Sequence, residues 1–473
     1  MDLKIVGGTI ITAEKTFRAD IGITDGKIEK IAAVLSDEAE KVIEAGGYYI
    51  LPGGIDVHTH FELPFGGTVS SDDFFTGSVA AACGGTTTII DFAVQQKDKS
   101  LKESLALWRQ KAEGKAVIDY GFHLVLTEVN EEILNELPDL VESGISSFKL
   151  FMAYKNIFMV DDETLFSVLS KAREIGALVM VHAENGGIID LLIKKFLSEG
   201  KTEPLYHALS RPPELEEEAT NRAIMLAQLT GAPLYIVHLS CAGALEQVKK
   251  TRARRQSVFA ETCPQYLTLS VDNYSEPASE NELVTGFAGA KYVMSPPLRG
   301  KHNQTHLWQG LAEGNLQVVS SDHCSFNWKG QKELGRDNFS LIPNGVPGVE
   351  TRLYLLYSEG VCKNKITLNK LVDIWATAPA KIFGLYPQKG TVAERSDADL
   401  VIFNPNKKFV LRANKLHQNV DYCPYEGWEI RGAISQVLAR GKVIVKDNSF
   451  TGRCGDGEFL PRHEFEAAQI LSV

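Results

Sequence analysis

Six side chains in this 473-residue chain have the types and placement of metal ligands. His58 and His60 lie one residue apart at the end of the apolar run Ile50–His58. In extended chain, residues i and i+2 point to the same side, so two imidazoles can converge on one cation. His182 ends the run Val179-Met180-Val181-His182, His238 ends Ile236-Val237-His238, and Asp322 follows Ser320-Ser321. Imidazole and carboxylate are the ligands that Zn2+ prefers when thiolate is absent. Lys149 lies inside the apolar run Phe148-Lys149-Leu150. Its ammonium either snorkels to solvent or is buried with a lowered pKa, which leaves a neutral amine. A lone histidine at a strand end is commonly a hydrogen-bonded structural residue, and Asp322 alone could cap a helix. Their joint placement is what points to metal chemistry. The other histidines (123, 207, 302, 306, 323, 417 and 463) lack it and are read as structural, although His123 and His323 lie in or beside strands.

Such a site needs elements that bring five separate strand ends together. Short apolar runs alternate with amphipathic helical stretches through the middle of the chain. The runs are Ile50–His58, Thr86–Phe92, Tyr120–Leu126, Ser147–Ala153, Leu178–Ala183, Leu234–Leu239, Val258–Glu261 and Gln317–Ser321. Stretches such as Leu101–Ala112, Glu163–Ile175, Glu214–Leu229 and Ala242–Arg254 read as the helices between them. This is the pattern of repeated βα units, and eight of them predict a (β/α)8 barrel with its chemistry at the strands' C-terminal ends. A doubly wound open sheet is the other reading, but no GxGxxG follows any of the runs. The two ends of the chain differ from the middle. Leu3–Ile11 is apolar and β-branched, and Ala19–Thr24 and Lys27–Ile31 flank Asp25-Gly26, a hairpin signal. Leu400–Phe403, Val437–Arg440 and Val443–Val445 around Gly441-Lys442 mirror this at the far end. One small β-sandwich built from both termini, residues 1–52 with 385–458, is expected beside a barrel of residues 53–384. Two unrelated β subdomains are the alternative.

Composition narrows the function classes. Lys and Arg total 49 against 60 Asp and Glu, a net charge of −11, which argues against a polyanion-binding surface. Hydrophobic content of 44% and charged content of 23% are those of a globular protein. No apolar run reaches the ~18 residues of a bilayer span, and the N-terminus lacks the basic and apolar regions of a signal peptide. Seven widely spaced cysteines without a CxxC argue against a disulfide framework, and a reducing cytoplasm is the expected compartment.

The string Pro52-Gly53-Gly54-Ile55-Asp56-Val57-His58-Thr59-His60, with Ser147-Phe148-Lys149 and Val181-His182-Ala183-Glu184-Asn185, resembles the cyclic amidohydrolases. The chain is most similar to the dihydropyrimidinase/D-hydantoinase branch of that superfamily. Ser321-Asp322-His323-Cys324, Met294-Ser295-Pro296-Pro297, Pro343-Asn344-Gly345 and Lys389-Gly390-Thr391 extend the resemblance over nearly the whole chain. It implies two Zn2+ per subunit, bridged by an N6-carboxylated Lys149 and a hydroxide. His58, His60 and Asp322 would then bind one ion, and His182 and His238 the other. The physical logic agrees: two adjacent cations need an anionic bridge, and a cationic lysine beside them would be strongly disfavoured. A buried, neutral amine is the form that CO2 requires. Two such metals can share a hydroxide formed near neutral pH.

The expected reaction is hydrolysis of a ring amide C–N bond, with Asp322 taking the nucleophile's proton and returning it to the departing ring nitrogen. Tyr154 resembles the family tyrosine that stabilises the oxyanion. Ser295 and Asn344 match positions whose backbone groups hold the cyclic diamide. Dihydroorotases, which share the HxH start, carry an arginine two residues after the second histidine to grip a substrate carboxylate. Here that position is Glu62. Leu63, Phe65 and Phe158 offer apolar walls, which suit neutral rings: dihydrouracil, dihydrothymine or 5-substituted hydantoins. Glu62 would oppose an anionic substituent. An allantoinase-type ureide hydrolase and a non-catalytic scaffold relative are the competing readings, the latter at odds with the complete ligand set. The resemblance also implies a homotetramer, with the tail Phe459–Val473 as an intersubunit arm, and a role in pyrimidine catabolism.

Overall fold

The computed structural model of the protein describes residues 1–97, 99–275 and 287–466. Eight parallel strands follow one another in sequence order around a single sheet. They are Gly54–Thr59, Thr86–Val94, Asp119–Val125, Ser147–Phe151, Leu178–His182, Leu234–Ile236, Val258–Thr262 and Val318–Val319. Almost every residue in them is buried, which is why they read as continuous apolar runs. Helices connect them, including Leu101–Ala112, Asp162–Glu174, Pro213–Thr230 and Ala242–Arg252, within two residues of expectation. Ser100 and Glu103 cap the first of these reciprocally, and Arg109 and Lys111 sit in its last turn. The architecture is a (β/α)8 barrel with a small β-sandwich built from both chain termini.

The last barrel strand is shorter than expected, and side chains close the seam between it and the first. The fully buried Arg352 donates to Ile55 O and Val319 O, each at 2.9 Å, and to Thr86 Oγ1 at 3.0 Å. Its Nε lies 3.5 Å from the buried Asp56 carboxylate, whose other oxygen accepts from Ser321 N at 3.1 Å. The same guanidinium therefore spans both edges of the barrel two residues below His58. Arg352→Met should cost about 3–5 kcal/mol, because it strands a buried carboxylate. A urea unfolding series would show this as a lowered midpoint with unchanged slope; a loss below about 1 kcal/mol would contradict it.

Two expected strands are each divided between different sheets. The run Ile50–His58 splits at Gly53 into Tyr49–Pro52, which pairs with Leu400–Phe403, and the first barrel strand. Gly53 N donates to Asp399 O while Gly54 N donates to Gly85 O. A Cβ on Gly53 would lie 2.0 Å from Thr87 Oγ1, so only glycine makes this crossing. The run Leu3–Ile11 breaks at Gly7, φ +73°, into Leu3–Val6 and Thr9–Ile11. Leu3–Val6 joins a four-stranded sheet with Asp20–Thr24, Lys27–Ala32 and Lys41–Glu44. Thr9–Ile11 joins a seven-stranded sheet that includes Tyr49–Pro52, Leu400–Val410, Glu429–Ala439 and Lys442–Lys446. Ile5, Ile21 and Ile23 from the first sheet bury against Ile50, Leu400 and Leu438 from the second. Asp25 and Gly26 both take positive φ, as a type I′ hairpin turn requires. At the far hairpin the two positive-φ residues are Arg440 and Gly441 rather than Gly441 and Lys442, because Lys442 already pairs with Ala439.

The described part of the tail, residues 458–466, crosses the N-terminal end of its own barrel. Leu460 N donates to Tyr120 O at 2.8 Å, Arg462 N to Gly144 O at 3.0 Å and Phe465 N to Gly176 O at 2.9 Å. Residues 467–473 of the expected arm lie outside the described residues. No helix among the described residues is long and apolar enough to cross a membrane.

Candidate active site

The C-terminal ends of strands one, four, five, six and eight place all six side chains at one mouth. Nε2 of His58 and Nε2 of His60 lie 3.2 and 3.4 Å from Asp322 Oδ1. Ligand atoms of these three lie within 4.8 Å of one another, a cluster fit for one cation. Beside them, His182 Nδ1 faces His238 Nε2 at 2.9 Å, and the His238 ring is 5.3 Å from that of His58. Lys149 lies between the groups, its Nζ 3.1 Å from His58 Nε2 and 4.1 Å from the Phe92 ring centroid. Among the described residues it has no carboxylate ion-pair partner.

Neighbouring carboxylates orient the imidazoles. His58 Nδ1 donates to Glu261 Oε1, leaving its Nε2 lone pair to face the site. Glu261 also accepts from Tyr235 OH at 2.9 Å and from His238 N at 3.1 Å. His182 Nε2 donates to Glu184 Oε2 at 2.9 Å, which turns Nδ1 inward. Burial opposes ionisation of Glu184, yet His182, Arg211 and Arg299 hold its carboxyl below the ordinary range. Neither Glu261 nor Glu184 was singled out from sequence. Glu184 had a signal, since it stands at i+2 from His182. A lone acid ending the apolar run Val258–Glu261 was the signal for Glu261.

Burial pushes His58 and His238 well below the usual imidazole value and lowers His60 as well, so these rings are neutral lone-pair donors. It also pushes the Lys149 ammonium down to about 8, although Asp322 and Glu261 pull the other way. Neutral imidazoles, one carboxylate and an amine without a counter-ion form a donor set that fits divalent cations. Three non-glycine residues here, His238 (φ +38°), Asp322 (φ +50°) and Tyr154 (φ +64°), occupy the left-handed region. Strain of this kind persists where the surrounding structure holds it, commonly at functional sites.

A pocket opens onto the cluster, and every expected wall residue lines it: Leu63, Phe65, Tyr154, Phe158, Ser295 and Asn344. Phe151, Cys324 and Gly345 line it too, and were not foreseen. Phe65 packs against Tyr154 and Phe158, with ring centroids 5.3 and 6.0 Å apart. Asn344 Nδ2 donates to Ser295 Oγ at 3.1 Å and reaches Tyr154 OH at 3.4 Å. Burial pushes the Tyr154 phenol up to about 12, which keeps it a proton donor at neutral pH.

Glu62 departs from expectation. It does not line the pocket; its carboxylate turns toward Lys115, 4.0 Å away, and its carbonyl accepts from Lys111. Its backbone φ of +50° redirects the chain after His60. An anionic ring substituent would therefore meet apolar walls rather than a repelling carboxylate. The two strand-associated histidines have their ring nitrogens engaged: His123 by Ser147 Oγ and Val57 O, His323 by Asp72 and the backbone N–H groups of Gly348 and Val349.

Known proteins bear on this arrangement. The amidohydrolase family model matches residues 49–444. A D-hydantoinase of Geobacillus stearothermophilus is 52% identical over 464 residues, covering 98% of this chain and 97% of that protein. The crystal structure of a dihydropyrimidinase from Brevibacillus agri superposes with a TM-score of 0.96 at 51% identity, over 98% of this chain and all of that one. An L-hydantoinase (dihydropyrimidinase) from Arthrobacter aurescens superposes with a TM-score of 0.88 at 29% identity, over 98% of this chain and all of that one. The shared barrel, the match across most of the chain and this level of identity lead to one conclusion: the chain belongs to the amidohydrolase family.

Proposed function

We propose that this protein hydrolyses the amide C–N bond of neutral cyclic ureides, namely 5,6-dihydropyrimidines and 5-substituted hydantoins, to N-carbamoyl amino acids. The observation that carries the reading is the convergence of His58, His60, Lys149, His182, His238 and Asp322 beneath an apolar-walled pocket. Two Zn2+ ions would be held there, one by His58, His60 and Asp322 and the other by His182 and His238. When bound, they supply Lewis acidity to the scissile carbonyl and lower the pKa of water.

The chain's own groups do the rest. The neutral Lys149 amine adds to CO2 and loses a proton, becoming an N6-carboxylate that would supply the anionic charge two cations need. Asp322 takes a proton from the attacking water and delivers it to the ring nitrogen as the C–N bond breaks. The Tyr154 hydroxyl donates to the oxygen that gains charge as the carbonyl becomes tetrahedral. Backbone groups of Ser295 and Asn344 hold the ring, and Leu63, Phe65 and Phe158 cover its substituent.

The same reading divides the chain into a sandwich of residues 1–52 with 385–458 and a barrel of 53–384, supported by the change of sheet at Gly53. It also assigns the protein to the cytoplasm, to pyrimidine catabolism and to a homotetramer. Exposed Phe166, Met225 and Leu229 on adjacent barrel helices support such an assembly.

Steady-state kinetics on dihydrouracil, hydantoin, 5-phenylhydantoin, allantoin and dihydroorotate test the substrate class. Dihydrouracil or the hydantoins should be turned over with kcat/KM at least about a hundredfold above dihydroorotate. Its carboxylate would be buried unpaired, which costs several kcal/mol, and about 1.4 kcal/mol is tenfold in rate. Comparable values for dihydroorotate and dihydrouracil would overturn the pocket reading. Allantoin as the preferred substrate would reassign the enzyme within its class.

A further inference from the structure

Lys332 is the one fully buried lysine that neither the site nor an ion pair accounts for among the described residues. It opens the short 3-10 helix Lys332–Gly335, on the excursion after the last barrel strand. Its Nζ donates to three backbone carbonyls: Val293 at 2.8 Å, Pro343 at 2.7 Å and Gly345 at 2.7 Å. Three acceptors match the three hydrogens of an ammonium, whereas a neutral amine offers only two. A charge buried without a counter-ion is costly, and hydrogen bonds to three carbonyl dipoles are its main compensation here, with the Phe326 ring centroid 5.8 Å from Nζ.

The gripped carbonyls come from two separate loops, and those loops carry Ser295 and Asn344 into the pocket. Val293 O lies two residues before Ser295. Pro343 O and Gly345 O flank Asn344 on either side. Gly345 N also donates to Val293 O at 3.0 Å, and Asn344 Nδ2 to Ser295 Oγ, so Lys332 anchors a knot with few bonds of its own. Gly345 has little freedom to shift: a Cβ there would lie 2.4 Å from Cys324 O. Met294 O is held from the other side by His207 Nε2 at 2.8 Å.

We propose that Lys332 is a positioning residue for substrate: by fixing the spacing between the 293–295 and 343–345 loops, it aligns the backbone groups that bind the ring. The proposal rests on the functional reading above, in which those groups hold the cyclic diamide. Lys332 touches neither substrate nor the reacting atoms. Its loss therefore acts on ring binding and leaves the proton transfer at Asp322 in place.

The test uses the metal-loaded enzyme and Lys332→Met, which keeps the chain length and removes the donors. KM for dihydrouracil and for hydantoin should rise about 10- to 100-fold, the worth of two misaligned hydrogen bonds, with kcat within about threefold. Metal content should be unchanged, as should inhibition by acetohydroxamate, a chelator without a ring. A merely structural role would instead lower thermal stability, metal content, kcat and acetohydroxamate affinity together at constant KM, and that result overturns the proposal. Lys332→Gln, which retains two donors, is measured alongside and should give an intermediate KM. An unchanged KM in a folded Lys332→Gln overturns the proposal even if Lys332→Met does not fold, and failure of both to fold also counts against a local role. Absence of turnover by the parent enzyme would overturn the functional reading, and this proposal with it. Normal parent turnover with unchanged variant KM would overturn this proposal alone.

Discussion

Lys149→Ala should lose both its divalent metal and its activity, with kcat/KM down at least about 10⁴-fold, the order expected when metal chemistry is removed. Acetate or propionate should partly restore both. The lysine is buried beside His58 with no carboxylate paired to it among the described residues, and burial pushes its ammonium down to about 8. A cation at that position would repel divalent ions, whereas its CO2 adduct is a carboxylate. What the alanine variant lacks is an anion and the volume to hold it, not a covalent nucleophile. A small carboxylate can enter the vacated space and supply that anion. Elemental analysis after desalting, with kinetics in the presence and absence of propionate, reads out both effects. Full activity in the unrescued variant would remove the N6-carboxylate from the account.

Asp322→Asn should lower kcat about 10²–10⁴-fold, the usual worth of general acid–base catalysis, while metal content falls far less. Asparagine keeps an oxygen 3.2–3.4 Å from the two imidazoles but cannot carry a proton to the ring nitrogen. The left-handed backbone at Asp322 tolerates asparagine better than other replacements, so the geometry should persist. If metal and activity fall in proportion, Asp322 is a ligand only and the proton shuttle is lost. A leaving group of lower pKa offers a cross-check, since its departure depends less on protonation and the variant's deficit should shrink.

The parts of this molecule that were legible in sequence share a physical cause. Barrel strands buried on both faces cannot carry polar residues without a reason, so a histidine, lysine or aspartate among them stands out. That is how His58, His60, Lys149, His182, His238 and Asp322 were found. The same uniformity hid the change of sheet at Gly53, because an apolar run reads alike whether it lies in the sandwich or in the barrel. Only the close approach of Thr87 shows why glycine is needed there. Glu261 escaped because its partner His58 is 203 residues away. Lys332 escaped because its acceptors are backbone carbonyls, which leave no mark in the sequence, and Arg352 because its two carbonyls, Thr86 and Asp56 are all remote along the chain. Glu62 misled for a different reason. Residue type gave its charge, but the positive φ that turns it toward Lys115 is a property of the folded chain.

The pocket also shows why substrate class is a matter of substituent contacts. The reacting carbonyl would meet the same six side chains whichever ureide binds, so the walls decide. Leu63, Phe65 and Phe158 provide apolar cover, and beside the six candidate ligands Ser295, Asn344 and Tyr154 add polarity. On the proposed reading, such walls would accommodate an alkyl or aryl group at the ring's substituted carbon and exclude a carboxylate.

The central claim, that two divalent cations at this barrel mouth are required for ureide hydrolysis, is tested most directly by a metal titration. The protein is stripped with a chelator, zinc is added stepwise in bicarbonate buffer, and dihydrouracil or hydantoin hydrolysis is measured at each step. Activity should be absent at the start and rise to a plateau at about two equivalents per chain, as a two-metal site requires. Full activity in the stripped protein, or a plateau at one equivalent, would contradict the claim.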